Sequence, residues 1–262
     1  MIYISVLLEK KTIFGRVCDH LTLTIHCFGY REGSPMIILT GSSGGIGKEM
    51  VGHLSKFDDV IAIYNETPPL IVEMGKEVTF YKLDLNNEDD ITAFVESKSD
   101  TLRNISLIHG AGIAESNLVI NHTKEHWDAS ISLNLTANFV LTKALIPLMI
   151  SQKWGRIIHF SSIRVAAGTV SYTTTKHGLI GMSKVLAKEY AKFNITSNAL
   201  ILGAFNTGMF HSLKDKVKKE MIDQIPSNKL GEVRDIASAI KFLIESPFVN
   251  GSTITIDGGA TL

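Results

Sequence analysis

Two cysteines, Cys18 and Cys27, are all the thiols in 262 residues. That excludes a disulfide framework and a four-cysteine zinc site, makes a reducing, cytoplasmic setting the expectation, and leaves both as small buried hydrophobes. An excess of either charge is also missing: 26 Lys and Arg face 26 Asp and Glu. No global basic field is then available to attract nucleic acid or an anionic membrane. No apolar run approaches the roughly 18 residues of a spanning helix. The opening MIYISVLLEKK places its charges after its apolar run, the reverse of a secretory signal. Clustered cysteines are lacking, no metal is expected, and His20, His26 and His53 read as structural or exposed. Repeats, low-complexity tracts and linkers are absent as well. What is present is 45% hydrophobic and 20% charged, the composition of a globular chain with a sizeable core.

Short apolar runs alternate with longer amphipathic ones. Strands are expected at MIILT (36–40), VIAIY (60–64), VTFYKLDL (78–85), ISLIH (105–109), RIIHFS (156–161), TSNALI (196–201) and TITI (253–256). Several are apolar throughout rather than alternating, as strands buried on both faces are. Helical patterns fall at 46–56, 88–99, 124–151, 171–192, 212–224 and 232–245, with Thr123 or Asn121 as the cap of the third and a restart at Gly231–Glu232. This alternation predicts one α/β domain over 36–262, a doubly wound parallel sheet of about seven strands with helices on both faces. Residues 1–35 lie outside it. Their stretches YISVLL and LTLTIHCF read as an extra hairpin or an upstream appendage, without assigned chemistry.

Three constellations carry chemistry. TGSSGGIG, Thr40 to Gly47, joins the first core strand to the first helix. There Gly41 permits the turn, Gly45 lets a ligand approach the backbone, and Gly47 lets helix pack on sheet. The helix N-terminus beyond offers N–H groups and partial positive charge to a pyrophosphate. In SYTTTKHGLIGMSKVLAKEYA (171–191), Tyr172 and Lys176 share one helical face. An ammonium beside a phenol favours the phenolate, which makes a tyrosine usable as acid and base near neutral pH. In SISLNLTANFVLTKALIPLM (130–149), Asn134 sits in an otherwise apolar helix and needs buried hydrogen-bond partners.

Together these residues resemble the short-chain dehydrogenase/reductase family, of the 3-oxoacyl-carrier-protein-reductase-like kind. The glycines follow its Gly-x-x-x-Gly-x-Gly spacing. GRIIHFSS ends in serines where the family has its catalytic serine, and Ser162 aligns better than Ser161. Asp84-Leu85 resembles the pair that touches adenine, and HGAG (109–112) stands at the family's Asn-Asn-Ala-Gly. NALILGAFNTGM (198–209) resembles the segment whose threonine contacts the cofactor, and GSTITIDGGATL the closing strand. The likeness spans about 36–262. It implies a Ser162, Tyr172, Lys176 and Asn134 tetrad that interconverts a ketone and a secondary alcohol with a nicotinamide dinucleotide. Ser162 and Tyr172 hold the substrate oxygen, Tyr172 moves its proton, Lys176 supports the tyrosine and the nicotinamide ribose, and Asn134 holds a helix distortion and a water that refills the proton. Gly41, Ser43, Gly45, Ile46, Gly47, Asn65, Asp84, Leu85, Gly110, Ala111, Gly112, Tyr172, Lys176, Gly203 and Thr207 are the implied cofactor contacts.

The departures are local. His109 and Gly110 replace two asparagines that brace the central strand, Leu202 replaces a proline, and only nine residues separate Ser162 from Tyr172. Where an acid would hold the adenosine ribose the chain has Asn65, and Ser42 to Gly44 carry no base for a 2′-phosphate. The cofactor is therefore NAD or NADP, leaning to NAD. The substrate is a small carbonyl or alcohol, or one bound to a carrier. A flap over 204–225 offers Phe205, Met209 and Phe210 as an apolar wall and Lys214, Lys216, Lys218 and Lys219 toward an acidic carrier or a phosphate. A homotetramer or homodimer is implied by the resemblance alone. Rival readings of the same fold are a non-catalytic binding or regulatory protein and an epimerase or dehydratase.

Overall fold

The computed structural model describes residues 3–13, 16–26, 35–68, 75–207, 210 and 214–262. Seven strands form a parallel sheet: β3 (Met36–Thr40), β4 (Asp59–Tyr64), β5 (Val78–Lys82), β6 (Ile105–His109), β7 (Gly155–Ser162), β8 (Ile195–Leu202) and β9 (Thr253–Ile256). Two more strands, β1 (Tyr3–Ile13) and β2 (Arg16–His26), pair antiparallel as a hairpin. β2 runs antiparallel to β5 from Thr22↔Tyr81 to Ile25↔Val78, so the sheet order is β1-β2-β5-β4-β3-β6-β7-β8-β9. Cys27 lies outside the described residues.

The helices are α1 (Gly45–Leu54), α2 (Glu88–Lys98), α3 (Lys124–Ile131), α4 (Ala137–Gln152), α5 (Val170–Tyr190), α6 (Asp215–Asp223) and α7 (Val233–Glu245). Their starts follow the capping residues. Asn87 Oδ1 accepts from Asp89 N, Thr123 Oγ1 accepts from His126 N, and Glu232 and Asp235 form a capping box. Thr123 is thus the cap of α3, and Asn121 closes a short 3₁₀ turn before it.

Several of the parallel strands are apolar throughout because each face of the sheet carries its own core. Ile37 and Leu39 point into one cluster with Met50, Leu54, Ile236 and Ile240. Ile38, one residue out of phase, points into the other with Phe94, Leu141, Leu145 and Met149. Every residue of β7 is buried.

The helical stretch expected at 124–151 is interrupted. Ser132–Thr136 forms a π turn between α3 and α4, with Asn134 buried in it. By length and hydropathy the whole Lys124–Gln152 stretch passes as a spanning helix. Leu141, Leu145 and Met149 instead spend its apolar face on the sheet.

Phe94 of α2 is fully buried and meets Tyr81 of β5 edge to face, with centroids 4.8 Å apart. Phe94→Ala is expected to lower stability by about 3–5 kcal/mol in urea unfolding. A loss under about 1 kcal/mol would mean that this cluster closes over the cavity.

Candidate active site

The glycine turn leaves β3 at its carboxyl end, beside the end of β6. Gly41 has φ of +73°, which an L side chain rarely adopts, and a Cβ there would lie 2.7 Å from Ala111 Cα. A Cβ on Gly47 would lie 2.1 Å from Gly41 O, so α1 packs on the turn with no room for a side chain. Thr40 Oγ1 accepts from both Gly110 N and Ala111 N at 3.1 Å, fastening the two strand ends. No side chain caps the α1 N-terminus. A bare backbone cradle ending in helix N–H groups fits a dinucleotide pyrophosphate. Ser43, Gly45 and Ile46 line the turn and the first residues of α1, whereas Ser42 is buried and donates to Ile63 O, a structural role. Asn65 is exposed after β4, and Asp84 and Leu85 follow β5, with Asp84 Oδ1 accepting from Asn86 N. Gly203 follows β8 and donates to Ile256 O, and Thr207 is buried nearby in sequence.

Asn134 and Lys176 come together beside Gly112, beyond the carboxyl end of β6, with Tyr172 one turn before Lys176 on α5. Asn134 Oδ1 accepts from Ile113 N at 2.8 Å, while its Nδ2 donates to Ile113 O at 2.9 Å and to Thr175 Oγ1 at 3.2 Å. The π turn is thereby tied to the loop following β6 and to α5. Gly112 lies over the junction: a Cβ there would be 3.0 Å from Asn134 Oδ1 and 3.4 Å from Lys176 Nζ. Lys176 Nζ donates to Phe160 O at 2.9 Å and stands 5.8 Å from the Tyr172 ring centroid. Ser161 Oγ donates to Lys176 O, docking α5 on β7. Ser162, the last residue of β7, accepts from Arg164 N at 3.1 Å. The short loop beyond it is braced on α5, with Thr173 Oγ1 donating to Arg164 O.

One expectation changes. Phe205 belongs to the core, buried and packed flat against Gly231, where a Cβ would lie 2.5 Å from its ring, so it is not a wall of the substrate pocket. Met209 lies outside the described residues. His109, in place of the family's asparagine, braces the central strand with different partners: its Nε2 lies 2.8 Å from Thr142 Oγ1. Asn138, Thr142, His159 and Thr175 went unread because their importance comes from cross-strand register and helix phase. His109 pairs with His159 in adjacent strands, and the rings stack at 4.9 Å and 11°.

Burial dominates the electrostatics. It lowers the Lys176 ammonium to about 8. Burial, and then the Lys176 charge, lowers His159 to about 3. Burial, then the charges of His159 and Lys176, holds His109 well below the usual histidine range. Both rings are therefore neutral beneath a cationic lysine.

Residues 41–261 match the family model described as enoyl-(acyl carrier protein) reductase. The chain is 32% identical over 235 residues to nodulation protein G of Rhizobium sp. (strain N33), covering 86% of this chain and 96% of that one. It is 33% identical over 243 residues to the 3-oxoacyl-acyl-carrier-protein reductase FabG of Thermotoga maritima, covering 86% and 97%. Among solved structures it is similar to a putative 2-deoxy-D-gluconate 3-dehydrogenase from Agrobacterium tumefaciens with bound NADP. The TM-score is 0.79 and the identity 25%, over 87% of this chain and 96% of that one.

The neutral histidines set a pH dependence. Below pH 6.5 the unfolded chain protonates them while the folded chain does not. The unfolded state then binds more protons, and stability that is complete above pH 6.5 falls as pH falls toward 3. Each ring contributes up to about 1.4 kcal/mol per pH unit. Urea unfolding at pH 7 and pH 5 is expected to show this loss, and His159→Asn to reduce it. Equal slopes in the two proteins would exclude His159 as a source.

Proposed function

The chain belongs to the short-chain dehydrogenase/reductase family, and from that premise we propose that Ser162, Tyr172, Lys176 and Asn134 are its catalytic tetrad. It is an NAD(P)(H)-dependent oxidoreductase that interconverts a ketone and a secondary alcohol. The observation that carries the tetrad is the junction under Gly112, where Asn134 Oδ1 and Lys176 Nζ approach one point and Thr175 links their helices.

When bound, the dinucleotide supplies or accepts the hydride. The protein's own groups do the rest. Ser162 and Tyr172 hold the substrate oxygen by hydrogen bonds, and Tyr172 transfers its proton to or from that oxygen. Lys176, buried yet still mostly protonated at neutral pH, supplies positive charge beside the phenol and a donor for the ribose. Asn134 holds the π turn against the Ile113 backbone, keeping the proton path open next to Lys176.

Gly41, Gly45 and Gly47 form the phosphate cradle, with Asp84 and Leu85 at the adenine and Asn65 at the adenosine ribose. Asn65 and Ser42 to Gly44 carry no cation for a 2′-phosphate, which supports NAD over NADP. The substrate we propose is carried on an acyl carrier. Lys214 and Lys219 are exposed on and just before α6, in the segment that follows Thr207, and present positive charge to an acidic partner. Assembly as a homodimer or homotetramer in the cytoplasm completes the reading.

Tyr172→Phe is expected to lower turnover of NADH or NADPH with a panel of ketones by at least about 10²-fold without loss of folding. Wild-type turnover in this variant would refute the tetrad. Lys214→Glu/Lys219→Glu is expected to raise KM about tenfold for a 3-oxoacyl group on acyl carrier protein and to leave a small 3-oxo ester unaffected. An equal change for both would remove the carrier reading.

A further inference from the structure

Ser162 ends β7, and the loop toward α5 begins on its hydroxyl. Arg164 N donates to Ser162 Oγ at 3.1 Å, so that oxygen already accepts one bond and keeps its own proton to give. The main chain of Arg164 thus stands one hydrogen bond from a hydroxyl that holds the substrate oxygen. The loop is fixed at several points. Ile163 N donates to Leu202 O at 3.1 Å on the neighbouring strand. Thr173 Oγ1, on α5, donates to Arg164 O at 3.0 Å, and Thr169 Oγ1 donates to Ala166 O at 2.8 Å. Gly168 O accepts from Asn117 N at 2.9 Å, which joins this loop to the one that follows β6. Both polar groups of the Arg164 main chain are therefore taken, in a loop with little slack.

What this loop carries is a cation without a partner. Arg164 is exposed, and among the described residues no carboxylate pairs with it. Most exposed arginines are solvated charges that need no explanation. This one is set apart by its place, two residues after the serine of the tetrad on a backbone that is held still. Lys176, the cation inside the site, is not available to a substrate anion. It is buried and donates to Phe160 O at 2.9 Å.

A guanidinium is a planar fork that matches a carboxylate with two parallel hydrogen bonds. Its methylene stem lets that fork reach a group a few bonds away from the oxygen on Ser162. We propose that Arg164 is a specificity-determining residue that binds a substrate carboxylate, so that the site also takes short free oxo acids without a carrier. The proposal rests on the tetrad reading above. It goes beyond the carrier reading, which uses Lys214 and Lys219 and needs no anion beside the ketone. The reaction is the ketone reduction already described, and the carboxylate is bound and leaves unchanged.

The test uses the full chain and a panel of short 3-oxo and 4-oxo acids, each beside its methyl ester, so that one ketone is offered with and without the charge. The readout is kcat/KM for the acid divided by kcat/KM for the ester. Arg164→Leu is expected to lower this ratio about tenfold or more, mainly through KM for the acid, the equivalent of one charge-assisted contact. Arg164→Lys keeps the charge and loses the fork, and is expected to fall between wild type and Arg164→Leu. An unchanged ratio in Arg164→Leu overturns the proposal. So does an equal loss for acid and ester, which marks a loop that has only changed shape. Rejection of every acid by a wild-type enzyme that reduces the esters overturns it as well. A ratio lowered as far by Lys214→Glu/Lys219→Glu as by Arg164→Leu would assign the effect to the general field and overturn it too. Inactive Tyr172→Phe with an unchanged ratio in Arg164→Leu defeats this inference only, whereas active Tyr172→Phe defeats the tetrad beneath it.

Discussion

One buried amide ties three elements together. Asn134 bonds both backbone polar groups of Ile113 and the hydroxyl of Thr175, so the π turn, the loop after β6 and the α5 helix are set relative to one another. Buried polar groups left unpaired cost about 1–3 kcal/mol each, so this arrangement has few low-energy alternatives. Lys176 is the next residue along α5, and its ammonium donates to Phe160 O.

The sheet supplies the second constraint. In a parallel sheet covered on both faces, the carboxyl ends of β3, β6, β7 and β8 open on the same side, and the loops leaving them meet there. Thr40 fastens two of those ends by holding Gly110 N and Ala111 N. Glycine at 41 and 47 is a steric requirement, because added Cβ atoms would meet backbone, which cannot move aside. The polar interior is the other side of this arrangement. Two stacked neutral histidines and a lysine lowered to about 8 are tolerated in the core because each ring and the ammonium retains a hydrogen-bond partner.

The seven core strands and most helices were legible because their periods differ: runs apolar at every position against runs apolar at every third or fourth. The π turn at Ser132–Thr136 was not legible from periodicity, since a five-residue turn inside a helix leaves the hydrophobic spacing almost unchanged, and only the family resemblance implied a helix distortion at Asn134. Phe205 looked like a pocket wall from its neighbours in the chain, and only packing against Gly231 places it in the core. His109 was visible as a departure from the family pattern. Its partners were not, because Thr142 is 33 residues distant and His159 is brought beside it by strand register.

By itself the amino-acid sequence determined the α/β class, the order of elements, the glycine turn and the identity of Ser162, Tyr172, Lys176 and Asn134 as candidates. These are properties of spacing and residue type, carried by local stretches. Tertiary structure alone decided which buried groups share hydrogen bonds, which phenylalanine is core, where the hairpin of β1 and β2 attaches, and how far burial lowers Lys176 and the histidines. Those depend on distances and dielectric between residues far apart in the chain, which no local pattern encodes.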